Sequence, residues 1–542
     1  APRTAQRGTP RRPSPLSVTL AVAMVASSLL AACEGCQRSS SGPAVVAPDA
    51  GPATLRLYVL ADLAGALEPC GCVKDQLGGL DHAAAFLAKE QDRARAHALL
   101  AVGPLFFRDL ENAPDARRQE TRKAETLAKS LAMMGLTAFT PGQNDEAEGL
   151  ATLHTLAAAS GAACLGCPEG DAGAGGSGFV VREVGGVRLG VVGVSGRVAA
   201  DEAPARVKSL ADAARAEGAQ VVVALAAVGR GAAKRIADAV PELLAVVVGS
   251  PAVQGETNTT TVPPERVGNV LVLEPANHGQ SLGVLDLFVR DGSFAFEGGA
   301  GLEQAKRRDD LNRRIQELRT RIADWERDGR VSAADLGARR QDLGLLEREL
   351  KGLAAPPLPS KGSFFRYASV DVRGELGARP DVHAALGEDY KLVNEENRLA
   401  FADRKPPPAP PGTASYVGVV TCGTCHPAPL AVWEKTAHAH AYATLEKDHK
   451  EFNLDCVSCH VTGYERPGGS TVTHVKALKN VQCEVCHGPG SRHAQSGDKS
   501  LITRRPTPES CTACHHPPHV HSFDAAAKMS LVLGPGHGLP AR

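Results

Sequence analysis

From Leu55 to about Gly298, short apolar runs alternate with stretches of helical spacing. LRLYVLADL, HALLAVGPLF, VRLGVVGV, AQVVVALAA, ELLAVVVGS and NVLVLEP are aliphatic and β-branched almost throughout, which predicts strands of a largely buried sheet. Residues 80–96 and 117–134 carry the helical period between them. GFVVREV and VRLGVVGV flank Gly185-Gly186, a hairpin signal that makes the sheet mixed. The period then changes. Leu311, Ile315, Leu318, Ile322 and Trp325 step by 4, 3, 4 and 3, a heptad seam that breaks at Asp328-Gly329. It restarts after the capping pattern Ser332-Ala333-Ala334-Asp335 and runs through Leu336, Leu343, Leu346, Leu350 and Leu353, predicting an antiparallel helical hairpin. The hairpin serves as spacer, dimer interface or self-packed unit. SFFRYASVDV reads as a further strand, followed by a helix that ends near Asp403.

The N-terminal pattern is one of export. Arg3, Arg7, Arg11 and Arg12 precede LSVTLAVAMVASSLLAA, a basic region followed by an apolar one that is short for a membrane-spanning helix. The ending LAAC resembles a bacterial lipobox, which implies that Cys33 is lipidated and anchors the chain; an uncleaved anchor is the alternative. Glu34, rather than an aspartate, follows it. The expected location is the periplasm or cell envelope, at the outer membrane.

These patterns divide the chain into a signal peptide (1–33), a flexible tether (34–54), an α/β domain (55–300) and the hairpin (301–354). A strand and helix completing the α/β domain (355–403), a proline-rich linker (404–415) and a C-terminal domain (416–542) follow. Sixty basic residues balance sixty acidic ones, and no basic tract points to nucleic acid.

The C-terminal domain carries the chemistry. CGTCH (422–426), CVSCH (456–460), CEVCH (483–487) and CTACH (511–515) repeat one pentapeptide. Two thiols three positions apart can add to the two vinyl groups of a haem while the adjacent imidazole reaches the iron, so each pentad reads as a covalent c-type haem site. Zinc knuckles or disulfides require no His after every second Cys. The reading assigns Cys422, Cys425, Cys456, Cys459, Cys483, Cys486, Cys511 and Cys514 to thioether bonds, and His426, His460, His487 and His515 to four irons. Of the 18 histidines, 13 lie from His426 to His537, enough to supply second axial ligands. Large apolar residues are scarce here, so the haems themselves are the expected core.

The runs AVWEKTAHAHAYATLEKD, LDCVSCHVTGYERPGG and VQCEVCHGPGSRH resemble the tetrahaem cytochromes c of the nitrifier hydroxylamine pathway and their relatives in respiring bacteria. The resemblance covers about the last 130 residues. It implies distal ligation by His438 and His493 and, commonly, one five-coordinate haem; the sequence itself offers His440 and His474 as weaker distal candidates. The final site departs from the pattern with the extra histidines of CHHPPHVHSF.

YVLADLAGALEPCGCVKDQLGGL, LTAFTPGQNDE, EVGGVRLGVVGVSG, VPELLAVVVGS and NHGQSLGVLDL resemble, in order, the periplasmic 5'-nucleotidase and UDP-sugar hydrolase branch of the metallophosphatases. That implies a metallophosphatase-like α/β sandwich. Most metal ligands of the family are missing: the matching positions read Asp62-Leu63-Ala64, Gly103-Pro104, Gly142-Gln143-Asn144-Asp145, Ala227 and Gly249-Ser250. No divalent metal and no phosphatase activity are expected of it. Cys70 and Cys72, and Cys164 and Cys167, follow strands of this domain and read as structural disulfides, a thiol redox site or a four-cysteine zinc site.

The expected function is electron transfer by an exported tetrahaem cytochrome, with redox proteins or quinol-linked donors as partners. A haem enzyme acting on a small nitrogen or sulfur compound, and a surviving phosphoesterase, are the alternatives.

Overall fold

The structure is a computed structural model that describes residues 51–69, 76–169, 177–254, 258–259, 261–297, 299–327, 331–353, 359, 361–516, 519–520 and 523–537. The expected signal peptide with Cys33, the expected tether up to residue 50, and Cys70 and Cys72 lie outside the described residues.

Thirteen strands are described: β1 (Leu55–Ala61), β2 (His97–Gly103), β3 (Leu136–Pro141), β4 (Ala163–Cys164), β5 (Phe179–Val184), β6 (Val187–Val194), β7 (Val221–Ala226), β8 (Ala245–Val248), β9 (Val262–Val267), β10 (Val270–Glu274), β11 (Ser281–Phe288), β12 (Phe296–Glu297) and β13 (Ser363–Asp371). They form a seven-stranded sheet in the order β12-β13-β11-β1-β2-β3-β4 and a six-stranded sheet in the order β5-β6-β7-β8-β10-β9. Both are mixed. β1 runs parallel to β2 and antiparallel to β11, and the expected hairpin pairs Val184 with Val187.

The alternation of side chains along each strand explains why these runs are apolar at every position. On β1, Leu55, Leu57 and Val59 enter a core shared with Leu189, Val223, Val247 and Leu271 of the other sheet. Tyr58 and Leu60 point the other way, into a core with Leu127 and Leu131 of the helix Arg117–Met133 and Leu386 of the helix Pro380–Ala400. Val222, Ala224 and Val246 likewise pack on the helices Ala203–Ala216 and Gly229–Ala239. The result is a four-layered α/β/β/α sandwich, the architecture that the metallophosphatase resemblance implies.

The helices Gly299–Arg327 and Ala333–Gly352 form the hairpin. Asp335 N donates to the Ser332 hydroxyl at 3.1 Å, closing the expected cap. Leu311, Ile315 and Ile322 are buried, whereas the second helix buries no residue. The first helix lies on β9 and β13, and its Leu302 joins the core between the two sheets. β13 then returns the chain to the first sheet, second from its edge, between β12 and β11.

From Val419 onward the chain forms short helices, none described with more than seven residues. The core they build among themselves is small: Tyr442, Val457, Val461, Val472 and Val475, together with Phe401 from the end of the sandwich. Among the described residues no helix is long and apolar enough to cross a membrane.

Candidate haem sites and the polar cluster at the strand ends

Three of the four pentads end a short helix: Val419–Cys425, Leu454–His460 and Cys483–His487; the fourth begins in the helix Pro508–Thr512. In a helical turn, residues three and four apart share a face, so each turn presents its two thiols and its imidazole on one side. All eight pentad cysteines are free of disulfides. The Cys422 and Cys483 thiols hydrogen-bond each other, which brings the first and third pentads side by side.

The histidines meet across the chain in pairs. The ring centroids of His426 and His493 are 6.2 Å apart, those of His438 and His515 6.1 Å, and those of His487 and His537 6.5 Å. Two imidazoles that ligate one ion from opposite sides, each at a metal–nitrogen distance of about 2.0 Å, place their centroids roughly 6 Å apart. The donor set therefore fits a bis-histidine iron at three places, each joining the histidine of one pentad to a histidine from elsewhere.

Backbone carbonyls orient several of the rings. His460 Nδ1 lies 2.6 Å from Ala441 O, His487 Nδ1 2.6 Å from Thr503 O, and His493 Nδ1 3.0 Å from Asp498 O. A carbonyl only accepts, so Nδ1 donates in each case and Nε2 keeps its lone pair for a metal. Burial lowers the pKa of His438, His460, His515 and His537, which favours the neutral ring. Phe523 stacks on His515 at 4.4 Å. Trp433 Nε1 donates to Val481 O at 2.8 Å, and Val481 N to His438 O, holding the His438 segment in place.

His440 and His474 are not brought to a pentad histidine. His440 Nε2 lies 3.1 Å from Glu434 O, and His474 Nδ1 lies 3.1 Å from the Thr473 hydroxyl. The third partner is His537, near the end of the chain, which no local motif marks. His460 has no histidine ring opposite it among the described residues.

Glu484, inside the third pentad, is another residue that the pattern did not single out. It is 2% exposed. Its Oε1 accepts from Gly490 N at 2.8 Å and Val417 N at 3.0 Å, and its Oε2 from Gly418 N at 2.8 Å. Gly418 and Gly490 precede the helices Val419–Cys425 and Ser491–Ser496, which carry Cys422, Cys425 and His493. One carboxylate thus fixes the starts of both segments that bring His426 and His493 together.

Residues 421–488 match the family cytochrome c554 and c-prime. This match accords with covalently bound c-type haem in the segment. Cytochrome c-554 of Nitrosomonas europaea is 33% identical over 137 residues, which cover 19% of this chain and 58% of that protein. The chain thus spans little more than half the length of this curated relative.

Among solved structures, a 5'-nucleotidase precursor from Thermus thermophilus is similar at 13% identity, with a TM-score of 0.41, over 76% of this chain and 69% of its own. The sulfate thiohydrolase SoxB of Thermus thermophilus is similar at 16% identity, with a TM-score of 0.37, over 46% of this chain and 56% of its own.

Outside the cytochrome c554-like segment, the residues that the hydrolase resemblance singled out gather at the carboxyl ends of the strands. Asp62, just past β1, accepts from Ser250 N at 2.9 Å and from the Ser250 hydroxyl at 2.7 Å. Burial pushes its pKa up to about 6 against these bonds. Asp145 accepts from Leu105 N at 2.8 Å, Phe106 N at 2.7 Å and Gly142 N at 3.0 Å. Burial raises it to about 7. Asn144 Nδ2 donates to the carbonyls of Arg108 and Val253, while its Oδ1 accepts from Val253 N. Among the described residues no three His, Cys, Asp or Glu side chains converge as a metal site. Beside this cluster His278, 8% exposed and at φ 53°, lies 3.3 Å from Asn258 Oδ1. Burial, and then the Arg108 guanidinium, lower its pKa to about 4.

Cys164 and Cys167 are disulfide-bonded to each other at the end of β4. A structural disulfide and the oxidised form of a thiol redox pair both contain this bond.

Proposed function

We propose that the chain is an exported tetrahaem c-type cytochrome that transfers electrons. The observation that carries the reading is the set of three histidine pairs at 6.1 to 6.5 Å beside four attachment pentads. His426 with His493, His487 with His537, and His515 with His438 would each hold one haem from both sides. Cys456, Cys459 and His460 would hold the remaining haem from one side only. Bound haem supplies one-electron exchange between ferric and ferrous iron, and two strong axial ligands favour that exchange because little geometry changes with it. The chain's own part is to fix the rings through carbonyls such as Ala441 O and Thr503 O, and to hold attachment sites one and three side by side.

The sandwich is a scaffold in this reading, because Asp62, Asn144 and Asp145 spend their hydrogen-bonding capacity on the chain itself. No hydrolysis of nucleotides or UDP-sugars is expected from it, even with added divalent metal. Lipidation at Cys33 would tether the protein to the outer membrane, with redox proteins or quinol-linked donors as partners. A second reading, catalysis on a small nitrogen or sulfur compound, draws on the one-sided position of His460.

The test is the mass of the denatured protein together with electron paramagnetic resonance of the oxidised one. Four thioether-linked haems, three low-spin and one high-spin that binds nitric oxide, are expected. Fewer haems, or two or more ligand-binding haems, would overturn the electron-carrier reading.

A further inference from the structure

We infer that the sandwich sets the electrostatic environment of the haem attached at Cys456 and Cys459, through an ion cluster that closes across the boundary between the two parts of the chain. The inference rests on the haem reading above and goes beyond it by giving the α/β domain a redox task.

Asp455 immediately precedes Cys456 on the helix Leu454–His460. Its carboxylate meets three groups of the sandwich: Lys123 Nζ at 2.7 Å, Gln119 Nε2 at 3.3 Å and an Arg108 guanidinium nitrogen at 3.6 Å. Lys123 also contacts Glu120 at 3.1 Å. The cluster is partly withdrawn from water, with Glu120 6%, Lys123 14%, and Asp455 and Arg108 each 28% exposed. His519 also faces Asp455.

The approach to the pentad is held as firmly. Leu454 N donates to Gln119 Oε1 at 2.9 Å, which also accepts from Asn397 at 2.8 Å. Asn397 Nδ2 donates to Phe452 O at 2.9 Å, and Phe452 N donates to Asn394 at 3.0 Å. Lys450 pairs with Glu68 and lies 4.0 Å from the centre of the Tyr390 ring. The residues preceding the other pentads, Thr421, Gln482 and Ser510, carry no charge.

A fixed charge next to a thioether bond acts on the iron with little screening, because the intervening medium is protein. Reduction adds one electron from a one-electron donor at the iron, with no bond broken, so the ferric form carries one more positive charge. Asp455 stabilises the ferric form; Lys123 and Arg108 offset that and favour the ferrous form. Neutralising the two partners must then move the potential in opposite directions. A purely structural contact predicts the same direction for both, since either loss loosens the same joint.

The test is a mediated redox titration of the full-length holoprotein at pH 8, above the ordinary histidine range, following the nitric-oxide-binding high-spin haem separately from the low-spin ones. Asp455→Asn should raise the ratio of reduced to oxidised high-spin haem about tenfold at fixed potential, a shift of about 59 mV. Lys123→Met should lower it comparably, the double variant should return near the wild-type value, and Lys123→Arg should leave it unchanged. Shifts of the same sign, a shift spread equally over all haems, or a change below about twofold everywhere would overturn the inference. If Lys123→Met does not mature, the isosteric Asp455→Asn decides alone, and an unchanged potential overturns it. Wild-type protein lacking one high-spin haem among four is instead a failure of the haem reading, seen before any variant is made.

Discussion

Replacing Glu484 tests how far the haem sites depend on a few buried polar anchors. Glu484→Ala removes the acceptor for Val417 N, Gly418 N and Gly490 N and leaves three donors in a site where the carboxylate is 2% exposed. A buried donor left without a partner costs about 1–2 kcal/mol at the low end of the usual range, so the variant should lose about 3–6 kcal/mol. Glu484→Gln keeps the volume and one carbonyl oxygen but turns an NH2 toward at least one N–H, and should lose about 2–4 kcal/mol. The loss falls at the starts of the two helices that bring His426 and His493 together, so ligation at the first haem should weaken with it. Guanidinium unfolding read in the Soret band gives the midpoint of the haem-domain transition, and paramagnetic resonance gives the spin state. The expected result is a lowered midpoint, Ala below Gln, with one low-spin signal converting in part to high spin. Both variants within about 0.5 kcal/mol of wild type, with three low-spin haems intact, would show that the carboxylate does not hold these segments.

Further outcomes follow from the same geometry. His537→Ala, His438→Ala and His493→Ala should each convert one low-spin haem to high spin, whereas His440→Ala and His474→Ala should convert none; resonance spectra of the five variants check this. His278, held near pKa 4 against an ordinary 6.5, contributes stability that is fully present above pH 6.5 and is lost as the pH falls toward 4. The loss is about 3 kcal/mol, and His278→Gln should flatten this part of the pH dependence of thermal unfolding. Arg56, 3% exposed, donates to Asp286 at 2.6 and 2.9 Å. Arg56→Met should therefore cost about 3–5 kcal/mol in denaturant unfolding, while Arg56→Met with Asp286→Leu should recover much of it.

What could be read along the chain is what local chemistry controls. A pentad is defined by residues within one helical turn, so the attachment sites and their own histidines need no distant partner to be recognised. The buried strands, the hairpin at Gly185-Gly186 and the cap at Ser332 follow from periods and turns spanning a few residues. The residues at the positions matched to the hydrolase motifs were legible too, and Ala64, Pro104 and Ala227 carry no ligating side-chain atoms. Where Asp62 and Asp145 direct their oxygens instead was not legible, since their partners lie on other strands.

The histidine pairs show the boundary most clearly. His440 lies in a segment rich in histidine and close to a pentad, yet its ring turns to Glu434 O, while His537 arrives from the end of the chain to face His487. Likewise nothing near Asp455 in sequence announces Lys123, 332 positions away. Sequence by itself determined the four Cys-x-x-Cys-His pentads and the alternation of strand and helix, because these are properties of neighbouring residues. Only the tertiary structure decided which histidines face one another, which carboxylates are spent on backbone amides and which haem motif the sandwich grips. Those pairings depend on where folding brings remote segments together, and neither periodicity nor spacing along the chain encodes that distance.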